Sequence, residues 1–265
     1  MLKGMARSTF FYHLHQKPDR YAEERKRIKA LHALHKGRYG YRRITAQMKN
    51  EGYTINRKTV YRIMKELGLK NVRRKCKYRS YKGEVGKTAP NRLKRNFNTK
   101  APNRKWTTDV TQINIGQDKC YLSPILDMYN GEIVCYTITD HPDLKMVMDM
   151  LSKAYEQNRT WKRLILHSDQ GSVYSSKKYN ELLPMYGITR SMSRAGTPTD
   201  NAAMEAINGW IKAELFMDFH VTGEMPVEKE VDDYITFFNE QRPAYALSYL
   251  TPKQYRESYA TTSSV

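Results

Sequence analysis

Cysteine is nearly missing: the 265-residue chain has three, Cys76, Cys120 and Cys135, an odd number without CxxC spacing. That excludes a disulfide framework and fits a reducing compartment. Lacking a CxxC partner, His13, His15, His32 and His35 read as helix-surface residues rather than a zinc site. No apolar run approaches the roughly 20 residues that span a bilayer. The opening MLKGMARSTFFYHLHQ has no apolar core of the kind a signal peptide needs. A cytoplasmic setting with no membrane partner is the expectation.

Acidic residues are scarce in one part of the chain only. Residues 1–105 hold 31 Lys and Arg against 6 Asp and Glu, whereas residues 106–265 hold 15 against 21. The overall formal charge of +19 therefore comes from the first part. Such a field attracts a polyanion through counterion release and steering, and nucleic acid is the expected partner. The acidic remainder calls for cations.

Within the basic part, residues 20–36 follow Pro18 and Asp19, a possible cap, and stop at Gly37, so they read as a helix. Two more helices are expected at about 41–50 and 57–67, joined by a turn at Gly52. Asn56 is a good N-cap for the second and Gly68 a good stop. Val60, Ile63, Met64 and Leu67 make its apolar stripe, with Lys58, Arg62 and Lys65 opposite and Arg57 at its start. A helix with one packing face and one basic face suits a DNA groove. Arg42 and Arg43 on the preceding helix join the set assigned to DNA. Residues 71–105 carry 13 basic residues and one acid, Glu84, among Pro, Gly and Asn, and read as a linker. Its Arg73, Arg74 and Lys75 are further DNA candidates, and Tyr78, Tyr81 and Phe97 are placed to stack on bases. The expected domains are 1–70, basic and helical; 71–105, the linker; 106–220, the core; and 221–265, a helix and tail packed on that core.

In the core, Trp106–Ile115, Cys120–Asp127 and Gly131–Ile138 read as three strands, the last two joined through Asn130-Gly131. A crossover helix over 143–158 leads to the strand Leu164, Ile165, Leu166, which delivers His167, Ser168 and Asp169 to its carboxyl end before Gly171. Ligands usually bind at such ends. A helix over about 176–186 and a strand over 188–192 follow. Asp109 interrupts a Thr- and Ile-rich strand that disfavours an acid. Glu205 lies one turn into the helix of AAMEAINGWIKAEL, and 35 residues separate it from Asp169. Three converging carboxylates repel one another unless cations bind. Oxygen-only ligands suit Mg²⁺, with Mn²⁺ as a substitute, and two such ions serve an in-line phosphodiester displacement. Asn201, Asn208 and Lys212 share the Glu205 face of the helix, whereas Glu214 falls on the far side. Asp127 is the competing ligand, and Asp200 reads as a helix cap.

The strings HSDQGSVY and TDNAAMEAINGWIKAEL, with the Asp109, Asp169, Glu205 spacing, resemble insertion-sequence transposases of the IS-three family, and the likeness runs over nearly the whole chain. The resemblance implies an α/β, ribonuclease-H-like mixed sheet flanked by helices, preceded by a basic all-α, helix-turn-helix-like domain. It also implies a DDE enzyme that frees a 3′ hydroxyl on donor DNA, which then attacks target DNA. Asp109, Asp169 and Glu205 would be catalytic and hold the metal, and Lys212, seven residues after the Glu, would contact DNA. His167 would either orient the site or hydrogen-bond the backbone. Gly171 and Tyr174 match the same string. The tail keeps Asn239, Arg242, Pro243, Leu247, Thr251 and Pro252 of the family pattern but has Ala244 where His is common. The implied partners are the insertion-sequence ends, target DNA, a second copy of the chain at least, and an upstream-frame product; the implied location is bacterial and nucleoid-associated. The alternatives are a nuclease on the same fold, a DNA-binding regulator that lacks catalysis, and a tyrosine recombinase, for which no one of the 20 tyrosines is singled out as nucleophile.

Overall fold

The computed structural model describes residues 19–71, 88–115, 118–157, 161, 163–217 and 225–262. The chain divides into two units, Met1–Arg73 and Arg74–Val265.

In the first unit, α1 (Ala22–Leu34), α2 (Tyr41–Asn50) and α3 (Arg57–Glu66) close around Ile28, Leu31, Ile44, Met48, Val60 and Ile63. Asn56 Oδ1 accepts the Lys58 N–H at 2.9 Å, the expected cap. At the other end Gly68 takes φ +67°, and the Leu69 N–H reaches Met64 O at 2.9 Å, which satisfies a carbonyl that the helix leaves open. The expected cap at Asp19 is displaced. Tyr21 is the N-cap of α1, and Asp19 instead accepts the Tyr21 N–H in the turn before it.

The second unit is built on a mixed sheet of β1 (Lys105–Thr108), β2 (Thr111–Ile115), β3 (Asp118–Asp127), β4 (Ile133–Thr139), β5 (Leu164–Ser168) and β6 (Ile188–Met192). Its order is β2-β3-β1-β5-β6, with β4 on the other edge of β3. β3 runs antiparallel to β1, β2 and β4, while β1, β5 and β6 are parallel. Helix α4 (Leu144–Gln157) makes the crossover into β5, and α5 (Lys177–Met185), capped by the Ser176 hydroxyl, leads into β6. On one face of the sheet, Trp106, Ile125, Leu164 and Leu166 pack against Val147, Met150 and Leu151 of α4 and Tyr179 and Leu183 of α5. On the other, Ile113, Leu122 and Leu126 meet α6 (Ala202–Met217) and α7 (Val227–Glu240).

Two expectations need correction. The segment assigned to a linker packs on the core from residue 88 onward: Leu93 is buried, Arg92 N–H donates to Ser191 Oγ at 2.9 Å, and Asn103 N–H donates to Asp127 Oδ2 at 2.8 Å. These long-range bonds give a charged, Pro-containing stretch a fixed path. The tail, expected to hold one helix, carries a second, α8 (Pro252–Thr262). Thr251 Oγ1 accepts the Gln254 N–H at 3.2 Å, and Pro252 occupies the first turn, where its missing N–H does no harm. Position 244, where the family often has His, closes a loop through its backbone, with the Ala244 N–H on Leu250 O at 3.1 Å.

Candidate active site

The strand expected over 106–115 is two strands in one register. Thr108 pairs with Ile125 and Thr111 with Leu122, so Asp109 and Val110 fall opposite Pro124 and Ser123. Pro124 has no N–H to donate, and the ladder opens there. Asp109 thus sits at the free carboxyl end of β1. In the neighbouring parallel pair Thr107 aligns with His167, so Asp109 and Asp169, each two residues further on, leave adjacent strands at the same level.

Asp169 is set by a tight turn in which the Gly171 N–H donates to its Oδ1 at 2.9 Å. A Cβ at position 171 would stand 3.0 Å from that oxygen, so glycine is the residue that leaves the carboxylate in place. Glu205 projects from the first turn of α6, exposed, while Met204, Ile207, Ile211 and Leu215 bury the opposite face of that helix. Each such side chain stabilises the docking by roughly 1.5–3 kcal/mol. Two asparagines tie the helix to β1. Asn201 accepts the Thr107 hydroxyl and donates to Thr108 O, and Asn208 Nδ2 donates to Asp109 Oδ2 at 3.1 Å.

Burial, then the Asp169 charge, then the Glu205 charge push the Asp109 carboxyl up to about 7, against the Val110 N–H and the Lys212 charge, which favour ionisation. Burial also raises Asp169, against the Gly171 N–H, and it raises Glu205. A group of acids held this way is poised for a cation. The donors are hard oxygens, which fit Mg²⁺. Among the described residues no three His, Cys, Asp or Glu side chains stand within reach of one common ion.

His167 is fully buried, with Nδ1 2.9 Å from Ser191 Oγ and Nε2 3.1 Å from Ser193 Oγ, and it also meets the backbone of Asp200, in line with the expectation of a backbone hydrogen bond. Burial pushes its pKa down to about 4, leaving it neutral. Asp200 is not a helix cap. Thr197 starts the 3-10 turn Pro198–Asn201, and Asp200 lies buried against Arg194, Arg95 and Asn91. The Arg194 guanidinium foremost holds its carboxyl well below the usual range. Asp127 is structural: it accepts from the Asn103 and Tyr129 N–H groups and from Arg256 at 2.8 Å. Glu214, on the far side as expected, is buried in an ion pair with Arg242 at 2.8 Å and accepts the Tyr234 hydroxyl. Lys212 is half-buried, and its charge acts on Asp109.

In the first unit Arg57, Lys58, Arg62 and Lys65 are exposed on α3, opposite buried Val60, Ile63 and Met64. Arg42 is exposed on α2, and the Arg43 guanidinium lies 5.2 Å from the Tyr39 ring centre. Arg73, Arg74 and Lys75 lie outside the described residues.

Comparison with known proteins agrees with this organisation. An HTH-like domain model matches residues 19–77, and integrase core domain models match 99–198 and 186–252. The chain is 42% identical over 252 residues to the InsK protein of insertion sequence element IS150 of Escherichia coli, spanning 94% of this chain and 89% of that protein. It is 35% identical over 251 residues to the transposase for insertion sequence element IS904 of Lactococcus lactis, covering 92% and 99%. Among solved structures, the HTLV-2 integrase catalytic core in complex with magnesium aligns with a TM-score of 0.51 at 19% identity, covering 60% of this chain and 99% of that one. A chain of a simian T-cell lymphotropic virus intasome in complex with the PP2A regulatory subunit B56 gamma aligns at 0.54 and 15%, covering 86% and 74%. At these identities the structures establish the fold, a ribonuclease-H-like integrase core. With two acids side by side at the ends of parallel strands, a third on the adjoining helix, and relatives matched nearly end to end, the chain belongs to the insertion-sequence transposases, polynucleotidyl transferases with an integrase core.

Proposed function

We propose that Asp109, Asp169 and Glu205 are the catalytic carboxylates of this transposase and that they hold two Mg²⁺ ions, with Mn²⁺ as a substitute. The observation that carries the reading is the register of β1 and β5, which brings Asp109 and Asp169 out side by side, with Asn208 binding Asp109 from the Glu205 helix. Asp109, Asp169 and Glu205 would hold the ions through their carboxylate oxygens. Bound there, divalent ions stabilise the attacking and leaving oxygens of an in-line phosphodiester displacement.

The chain's own residues supply position and charge. Gly171 and Asn208 orient the two aspartates, Asn201 holds the end of β1, and Lys212 contributes positive charge at the site and contacts DNA near the scissile phosphate. In the first step water attacks the phosphorus and the bond to O3′ breaks, which frees a 3′ hydroxyl on the element's end. In the second that hydroxyl attacks a target phosphodiester, a new P–O bond forms, and the target O3′ leaves. Bonds made equal bonds broken, so no nucleotide cofactor is needed.

The α3 face with Arg57, Lys58, Arg62 and Lys65, the α2 residues Arg42 and Arg43, and Arg73, Arg74 and Lys75 serve DNA binding, with 1–70 as the end-binding domain. Action on paired ends calls for at least a dimer and leaves room for an upstream-frame product. A cytoplasmic, nucleoid-associated location follows from a DNA substrate; no described helix is long and apolar enough to cross a membrane.

The test is a strand-transfer assay on end-containing DNA with Mg²⁺ or Mn²⁺. Asp109→Asn, Asp169→Asn and Glu205→Gln should each abolish joining and keep DNA binding. Joining that survives any of the three removes that residue from the site.

A further inference from the structure

Asp200 receives five hydrogen bonds from three residues. Oδ2 accepts Asn91 Nδ2 at 3.0 Å, Arg194 Nε at 2.9 Å and the Arg194 N–H at 3.2 Å; Oδ1 accepts Arg95 Nε at 2.9 Å and Arg194 Nη2 at 3.0 Å. Its side chain is 0 % exposed, while those of Arg95 and Arg194 are 53 % and 62 % exposed. Each guanidinium carries five N–H donors in a planar fork, and Asp200 takes one from Arg95 and two from Arg194. The buried carboxylate therefore fixes the inner edge of both guanidiniums and turns the outer edge to solvent. There, Asn91, Lys94, Arg95 and Arg194 line a pocket of about 470 Å³. Lys94 and Arg95 are consecutive non-glycine residues in the left-handed region, at φ +47° and +62°. Strain of this kind persists where the surroundings over-determine it; here the Lys94 N–H is held by Asn91 Oδ1 at 2.8 Å. Three cations lining one pocket are offset by a single carboxylate.

We propose that Asn91, Lys94, Arg95 and Arg194 form a docking pocket for a backbone phosphate of duplex DNA, pre-set by Asp200 and connected through Asn201 to the strand end that carries Asp109. Forks already held in place lose little freedom on meeting a phosphate, and bidentate guanidinium–phosphate pairs are among the strong hydrogen bonds. A phosphate contact fixes register without reading bases. Asp200 and Asn201 are consecutive: one grips the pocket's arginines, the other grips Thr107 and Thr108 beside Asp109. DNA seated in the pocket is thereby set at a fixed distance from the carboxylates. This rests on DNA being the substrate, and it names one place where the backbone lies.

The test measures binding of the full chain to a random-sequence DNA duplex across a salt series. The Lys94→Gln, Arg95→Gln pair should lower the slope of log affinity against log salt by roughly 1 to 2, about one for each phosphate that the variant no longer neutralises. Lys94→Gln alone, which removes a charge from an exposed side chain, should lower it by up to about 1. Arg95→Lys should keep the slope, and Lys178→Gln, an exposed lysine on α5, should leave it unchanged. A role confined to pinning residues 88–104 to the core would lower the melting temperature of the double variant and leave its slope at the wild-type value, and that result overturns the pocket. Joining activity of the wild type and of the three carboxylate variants is read separately, so an unchanged slope beside intact joining rejects the pocket and leaves the transposase reading standing.

Discussion

Asn208 donates from Nδ2 to Asp109 Oδ2 at 3.1 Å, which binds the helix carrying Glu205 to the strand end carrying Asp109. The amide sits three residues after Glu205 on α6 and is buried, so it fixes the spacing of two carboxylates that ordinary strand and helix packing would leave loose. Asn208→Ala should cut joining by roughly 10–100-fold, the range for outer groups that orient metal ligands. It should also raise the Mg²⁺ concentration needed for half-maximal rate. A variant with wild-type Mg²⁺ dependence would show that the hydrogen bond is incidental.

Asp109 gives a pH prediction with a definite sign. Its folded pKa of about 7 lies above the unfolded value of 3.8, so between those values the native state binds more protons and stability falls as pH rises. In metal-free buffer Asp109→Asn should be more stable than wild type at pH 8, by on the order of 1 kcal/mol or more in unfolding free energy, with the advantage shrinking toward pH 5. Adding Mg²⁺ should stabilise the wild type and not the variant. An advantage that grows on acidification would contradict the assignment.

His167 runs the other way. Its folded pKa of about 4 lies below the unfolded 6.5, so the unfolded chain binds the extra proton and stability is lost as pH falls from 6.5 toward 4. Thermal melts of the wild type should show that loss, and melts of His167→Gln should lack it while starting lower, since a change at His167 disturbs the buried Ser191 and Ser193 hydroxyls. Parallel pH profiles for the two proteins would refute a buried neutral imidazole.

These relationships are unequally legible in the sequence. Asp109 and Asp169 can be found because an acid inside a β-rich run and an acid at a strand's carboxyl end both break local preference. The helix of Glu205 can be found because its apolar spacing is regular. The opening of the ladder at Asp109 cannot, because its cause, Pro124, lies on the facing strand. Asp200 resembles a cap because caps are local, whereas its partners Arg95 and Asn91 are 105 and 109 positions away. Helical geometry puts Glu214 on the correct face, yet its partner Arg242 is 28 residues on. Of the features that differ from expectation, α8 alone has a local signal, the Thr251-Pro252 start.

The Glu214–Arg242 pair sets up a stability prediction. Both side chains are nearly inaccessible, 9% and 4% exposed, so each depends on the other for compensation. Arg242→Ala should destabilise by about 3–5 kcal/mol, since it leaves a buried carboxylate unpaired. The double change Glu214→Leu, Arg242→Met should recover most of that loss. Chemical denaturation of the three proteins decides it, and a double variant no more stable than Arg242→Ala would contradict the cost of an unpaired buried carboxylate.

Direct ligation of metal by Asp169 can be read from a change of donor atom. With Asp169→Cys, joining on end-containing DNA should fail in Mg²⁺, a hard ion that binds thiolate poorly, and return in part in Mn²⁺, which accepts sulfur better. Equal loss in both ions, from a variant that still folds and binds DNA, would contradict the claim that this carboxylate holds the ions that break and rejoin the strand.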